Sequence, residues 1–130
     1  MENQQVVVAM AADEVVGYYL LNTVSTDGVL ATHHQAVETL RQQGQLAPTD
    51  RVGTGAQACI DLPYQGTGLR QRLLQQLLKQ VAGRFDYLFA TIAKENTKAF
   101  RAHTGDGWQV RGENNQLYYV VLPVSQLPVQ

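Results

Sequence analysis

A single cysteine, Cys59, is all the thiol chemistry in this 130-residue chain. It allows no internal disulfide and no thiolate metal cluster, and such scarcity agrees with a reducing, cytoplasmic compartment. No histidine lies near Cys59 in sequence, so it reads as a small buried strand residue, not as a nucleophile. Charge is sparse too: 16% of residues are charged and the formal net charge is -1. That leaves no basic field for nucleic acid or an anionic membrane. The longest apolar runs, 6–12 and 118–123, are too short to span a bilayer, and no basic segment at the amino end leads into a signal-type core. Metal-ligand spacing is missing as well, so no metal is expected. His33 and His34 are neighbours whose side chains diverge by about 100° on a helix, and they read as surface or capping groups.

What is there reads as one domain, 1–130, with a proper hydrophobic core. Segments 4–12 and 15–24 are β-prone and form a hairpin with Asp13 and Glu14 at its tip, placing Tyr18 and Tyr19 on opposite faces. The long connection 23–50 contains a helix from 32 or 33 to 43, with Ala36, Val37 and Leu40 as its inner face and Gly44 as its stop. A strand over 51–62 follows, then a helix over 69–81 whose Leu69, Leu73, Leu74, Leu77, Leu78 and Val81 make one apolar stripe, ended by Gly83. Segment 85–93 is apolar on both faces, as a central covered strand would be. Asn96 is suited to cap a helix reaching about Thr104, with Gly105 as its stop. Strands over 108–110 and 116–122, separated by a turn at 112–115, complete the order ββ(α)βαβαββ, and the tail after Pro123 frays. This is an α/β or α+β domain on a single mixed, mostly antiparallel sheet flanked by helices.

The organising stretch is 59–81, which reads strand, glycine turn, helix. Gly66 and Gly68 can take positive φ and let a ligand approach the backbone. The helix that follows starts with unpaired N–H groups and a partial positive charge, a combination that attracts phosphate. Neither the Gly-x-Gly-x-x-Gly nor the Gly-Lys-Ser/Thr pattern of nucleotide folds is met. Taken alone, the loop is equally an ordinary tight strand-to-helix turn.

Three features in register then resemble the Gcn5-related N-acetyltransferase superfamily, the acyl-CoA N-acyltransferase fold. Gln65, Gly66 and Gly68 match its coenzyme-binding turn; Asn96 and Ala99 match the start of its next helix; His103 stands where that helix usually carries a tyrosine, with Gly107-Trp108 in place of Gly-Phe. The resemblance implies acetyl-CoA as cosubstrate. Its pyrophosphate would rest on the backbone of Gln65, Gly66, Thr67, Gly68, Leu69 and Arg70, its pantetheine arm would run beside the strand ending at Ile60 and Leu62, parted from the strand ending at Thr91, and Asn96 would contact that arm. His103 would protonate the departing thiolate, and Asp61 would serve as base through a water; the plainer readings are a histidine complementing the helix dipole and a turn carboxylate. Arg70 replaces the small residue usual at its position, so it either pairs with a phosphate or crowds the turn. The superfamily's customary opening strand and helices do not precede the hairpin here, so the chain is a shortened version of the fold, or another subunit or segment 23–50 supplies that wall. The implied activity is transfer of an acetyl group to a primary amine of a small molecule or peptide. The alternative is a non-catalytic acyl-CoA-binding or assembly module of the same fold. The open hairpin edge points to a homodimer.

Overall fold

The computed structural model describes residues 4–22, 28–54 and 56–126. Its hairpin pairs β1 (Gln4–Ala11) with β2 (Glu14–Asn22) in antiparallel register, turning at Ala12, which takes a φ of 55°. The expected continuation to Val24 lies outside the described residues. Helix α1 (Gly28–Gln42) starts before the expected position and is stopped by Gly44, two residues on, where φ is 77°. As the stripe predicts, Ala36, Val37 and Leu40 are buried. His33 is buried with them, not at the surface or at a cap. The earlier start makes it a mid-helix residue, and its ring packs edge-on against Phe89 with Nε2 3.4 Å from Thr91 Oγ1.

The strand expected over 51–62 is broken. Its first part, β3 (Val52–Gly53), pairs parallel with β5 (Tyr87–Ala93), while its second, β4 (Gln57–Ile60), pairs antiparallel with β2. The mixed, mostly antiparallel sheet therefore divides into two hydrogen-bonded parts, β1-β2-β4 and β3-β5-β7-β6. Gly53 sits at the junction, where a Cβ would meet Leu21, Leu88 and Phe85 side-chain atoms at 3.0, 3.2 and 3.2 Å. Beyond that point β4 and β5 belong to different parts of the sheet, and neither pairs with the other.

Helix α2 (Leu69–Val81) has the predicted bounds. Leu73, Leu74, Leu77, Leu78 and Val81 are buried in one cluster with Tyr19 and Leu21 of the first sheet and Leu88, Ala90 and Ile92 of β5. Each fully buried leucine contributes roughly 1.5–3 kcal/mol of transfer free energy, so this one helix holds both sheet parts together. On the opposite face Phe89 and Val121 pack with Ala36, Val37 and Leu40 of α1, so β5 is covered on both sides as its composition predicts.

Helix α3 (Thr97–Gly105) is capped by Asn96, whose Oδ1 accepts from the Ala99 N–H at 3.1 Å. The left-handed residue after it is Gly107, φ 104°, two positions later than the expected stop. Strands β6 (Gln109–Glu113) and β7 (Leu117–Pro123) follow. Gly112 and Glu113, expected in the turn, belong to β6. The turn is made instead by Asn114, whose Oδ1 accepts from the N–H groups of Gln116 and Leu117 at 2.8 and 2.7 Å. The chain after Pro123 does not fray at once: Val124–Gln126 form a short 3-10 turn, with Val124 buried and its N–H on Asp86 O. Residues 127–130 lie outside the described ones. Cys59, expected in the core, is exposed. It pairs with Tyr18 on the face of the β1-β2-β4 sheet away from Tyr19 and α2, and β4 is the edge strand there. Among the described residues no helix is long and apolar enough to cross a membrane.

Candidate functional site

The turn between β4 and α2 is built by short-range hydrogen bonds that fix its shape while leaving its amides uncommitted. The Asp61 N–H donates to Val16 O at 2.9 Å, tying the strand end to β2. A 3-10 turn over Leu62–Tyr64 follows, favoured by Pro63 near its start. The Gln65 side chain then folds back, Nε2 donating to Ile60 O at 2.9 Å, and the Thr67 hydroxyl donates to Tyr64 O. Gly66 and Gly68 hold φ of 76° and 84°, the left-handed region in which a side chain is disfavoured. A Cβ at either would meet nothing within 4 Å, so these glycines are required by backbone conformation and border open space. Among the described residues, no backbone N–H from Gly66 to Gln71 makes a well-formed hydrogen bond, and Arg72 is the first to close a helical one, to Gly68 O.

These amides border an open cleft of about 480 Å³. Ala58 and Ile60 of β4, Tyr64, Gln65 and the two glycines line one side, Leu69, Arg70 and Gln71 the start of α2, and Lys98 reaches it from α3. Of the residues singled out from sequence, Ile60, Gln65, Gly66, Gly68, Leu69 and Arg70 are thus brought together. Thr67 belongs to the same turn, its hydroxyl turned back onto the backbone. Leu62 projects into solvent, 79% exposed, and does not line the cleft. Asp61, Asn96 and His103 are outside the cleft lining too. Asp61 is exposed at the strand end. The Asn96 oxygen is used as the helix cap. The His103 ring lies edge-on to Trp108, with centroids 5.2 Å apart, and Nδ1 is 2.8 Å from Ala99 O. A carbonyl can only accept, so Nδ1 carries the hydrogen and the lone pair of the neutral ring is on Nε2.

Arg70 neither reaches into the cleft as a free cation nor blocks it. Its guanidinium forks onto Asp106, Nε to Oδ2 at 2.8 Å and Nη2 to Oδ1 at 3.1 Å, joining the start of α2 to the end of α3. The Asp106 side chain is 4% exposed, and its hydrogen bonds raise the Arg70 pKa above its ordinary value. Beside this pair stands Tyr19. Burial, and next the Asp106 charge, push its phenol well above the usual tyrosine range, while the Trp108 indole N–H leans toward it without reaching full hydrogen-bond geometry.

Sequence reasoning missed Lys98 and Asp106. Lys98 had a signal, two positions after the Asn96 cap, where a first-turn side chain can share a cleft with the preceding helix start. Asp106 had none: its partner is 36 residues away.

The residues present fit a diphosphate attached to an extended amide-bearing arm. Unpaired N–H groups and a lysine line one cleft with the turn, and β4, the edge strand of its sheet part, leaves backbone groups beside it for the arm.

No family model and no curated protein sequence matches the chain. Solved structures do match. A spermidine N-acetyltransferase SpeG chimera from Vibrio cholerae and hSSAT superposes with a TM-score of 0.62 at 15% identity, over 96% of this chain and 69% of that one. An acetyltransferase of the GNAT family from Streptococcus pneumoniae gives 0.61 at 16% identity, over 95% and 68%. yncA, a putative acetyltransferase from Salmonella typhimurium in complex with its cofactor acetyl-CoA, gives 0.61 at 16%, over 96% and 67%. The fold is the acyl-CoA N-acyltransferase fold of the GNAT acetyltransferases.

Proposed function

We propose that this chain is an acetyl-CoA-dependent N-acetyltransferase, acting in the cytoplasm on a primary amine of a small molecule or peptide. The observation that carries the reading is the coincidence of two features in one cleft: a glycine turn with uncommitted amides, and β4, the edge strand of its part of the sheet, whose Ala58 and Ile60 line the same cleft. Bound coenzyme supplies an acetyl thioester. The amides from Gly66 to Gln71 hold its diphosphate, and the edges of β4 and β5 align its arm beside Ile60. Asn96 keeps Oδ1 on its own helix and offers Nδ2 to the arm. The amine nitrogen forms a bond to the acetyl carbon as the carbon–sulfur bond breaks. The amine loses a proton through water to Asp61, and the sulfur gains one from His103. With Nδ1–H donated to Ala99 O, only Nε2 can deliver that proton, and only from the imidazolium form. Holding both reactants together provides a large part of the acceleration. β1 is an edge strand with Val6, Val8 and Met10 exposed, and it provides the contact for a homodimer.

One observation favours the second reading, an acyl-CoA-binding or assembly module without catalysis: Asp61 and His103 are outside the cleft lining. Thiol release with acetyl-CoA and a panel of primary amines tests the proposal. The enzyme releases free thiol with at least one amine, and His103→Ala slows it by about 10²-fold or more with unchanged coenzyme affinity. Coenzyme binding with no thiol release from any amine overturns the catalytic reading in favour of the module.

A further inference from the structure

The cleft contains a cation that the glycine turn does not account for. Arg70, the cation of the turn itself, is held on both oxygens of Asp106, and releasing it would strand a carboxylate that is 4% exposed. Lys98 lines the same cleft from the first turn of α3, and its ammonium makes no ion pair among the described residues. The position is an unfavourable one for a cation, since the amino end of a helix carries partial positive charge and favours acids. Neither α2 nor α3 has an acid in its first turn. Lys98, Arg70 and two helix beginnings thus concentrate positive potential on one cleft, with a single carboxylate committed to Arg70.

We infer that Lys98 is the residue that recognises the diphosphate of the coenzyme, closing over it from α3 while the glycine turn holds it from α2. This rests on the acetyl-CoA reading above and adds to it the side chain that determines affinity for the phosphate. The backbone amides hold the diphosphate in place; the lysine adds the charge-assisted bond.

Calorimetric titration of coenzyme A and of dephospho-coenzyme A into the wild type, Lys98→Gln and Lys98→Arg separates the outcomes. Lys98 is exposed, so the variants keep the wild-type unfolding midpoint. The expected result is an affinity loss of about tenfold in Lys98→Gln, equal for both ligands, with most of it restored in Lys98→Arg. The dependence of affinity on salt also becomes shallower in Lys98→Gln. A loss confined to coenzyme A would place the lysine on the 3′-phosphate and overturn the assignment to the diphosphate. Unchanged affinity in Lys98→Gln overturns it outright while leaving the acetyl-CoA reading standing. A wild type that binds neither ligand removes that reading and this inference together.

Discussion

Arg70 occupies the position at which the glycine turn becomes a helix, and its side chain is held away from the turn by Asp106. Removing it leaves a nearly buried carboxylate without a partner. Arg70→Ala should cost on the order of 2–3 kcal/mol in urea unfolding, somewhat below the roughly 3–5 kcal/mol of a fully buried pair, because a third of the arginine remains in water. His33 gives a pH-dependent counterpart. Burial first, and the neighbouring His34 second, hold its pKa below the ordinary value of about 6.5. As pH falls, the unfolded chain therefore takes up this proton before the folded one does. The contribution of His33 is fully present above about pH 6.5 and is lost as pH drops through the lowered folded value. Unfolding midpoints should fall between pH 7 and 5, and His33→Leu should flatten that fall. The identity of the turn residues was legible at this scale, because glycines at 66 and 68 and a glutamine at 65 are local chemistry. The Arg70–Asp106 pair was not, nor was the burial of His33, since both depend on what the fold brings from another part of the chain.

Among the elements, α2 was read to its last residue. The apolar stripe from Leu69 to Val81 lies between Gly68 and Gly83, and both the period and the stops are written in neighbouring residues. Gly68→Ala tests the first stop. With nothing within 4 Å of the new Cβ, its cost is that of the left-handed backbone alone, about 1–2 kcal/mol, and coenzyme affinity should fall with it as the turn relaxes. Gly112→Ala is a different case. Its Cβ would lie 2.7 Å from the Leu40 Cδ2 methyl and 3.2 Å from Tyr119, so the fully buried Leu40 side chain must repack, costing roughly 1–3 kcal/mol in thermal or urea unfolding. Gly112 misled the sequence reading for the same reason. A glycine amid polar residues resembles a turn, and only the approach of Leu40 explains why a strand needs one there. The break between β3 and β4 was likewise illegible, because it depends on which neighbour each half finds: β5 for Val52 and Gly53, β2 for 57–60.

For the molecule as a whole, the divided sheet and the amide-lined cleft beside it carry the functional reading. Acetyl-CoA at 100 times its dissociation constant should stabilise the fold by about 2.7 kcal/mol, raising the thermal midpoint by roughly 2–8 °C. The exposed edge belongs to this scale too. Val8 faces solvent on β1, so Val8→Lys should convert the proposed dimer to a monomer in analytical ultracentrifugation without loss of stability. The sequence by itself determined the helix α2, the hairpin, the covered strand β5 and the glycine turn, because hydrophobic period, turn chemistry and positive-φ glycines act between residues a few positions apart. Only the tertiary structure decided that the sheet would part at Gly53, that Cys59 would face outward while His33 turned in, that Asp106 would take the Arg70 guanidinium, and that Lys98 would line the same cleft as the turn. Each of those depends on contacts between distant segments. Such contacts are set by packing α2 on both sheet parts and α1 on the opposite face, and no local window of the chain contains them.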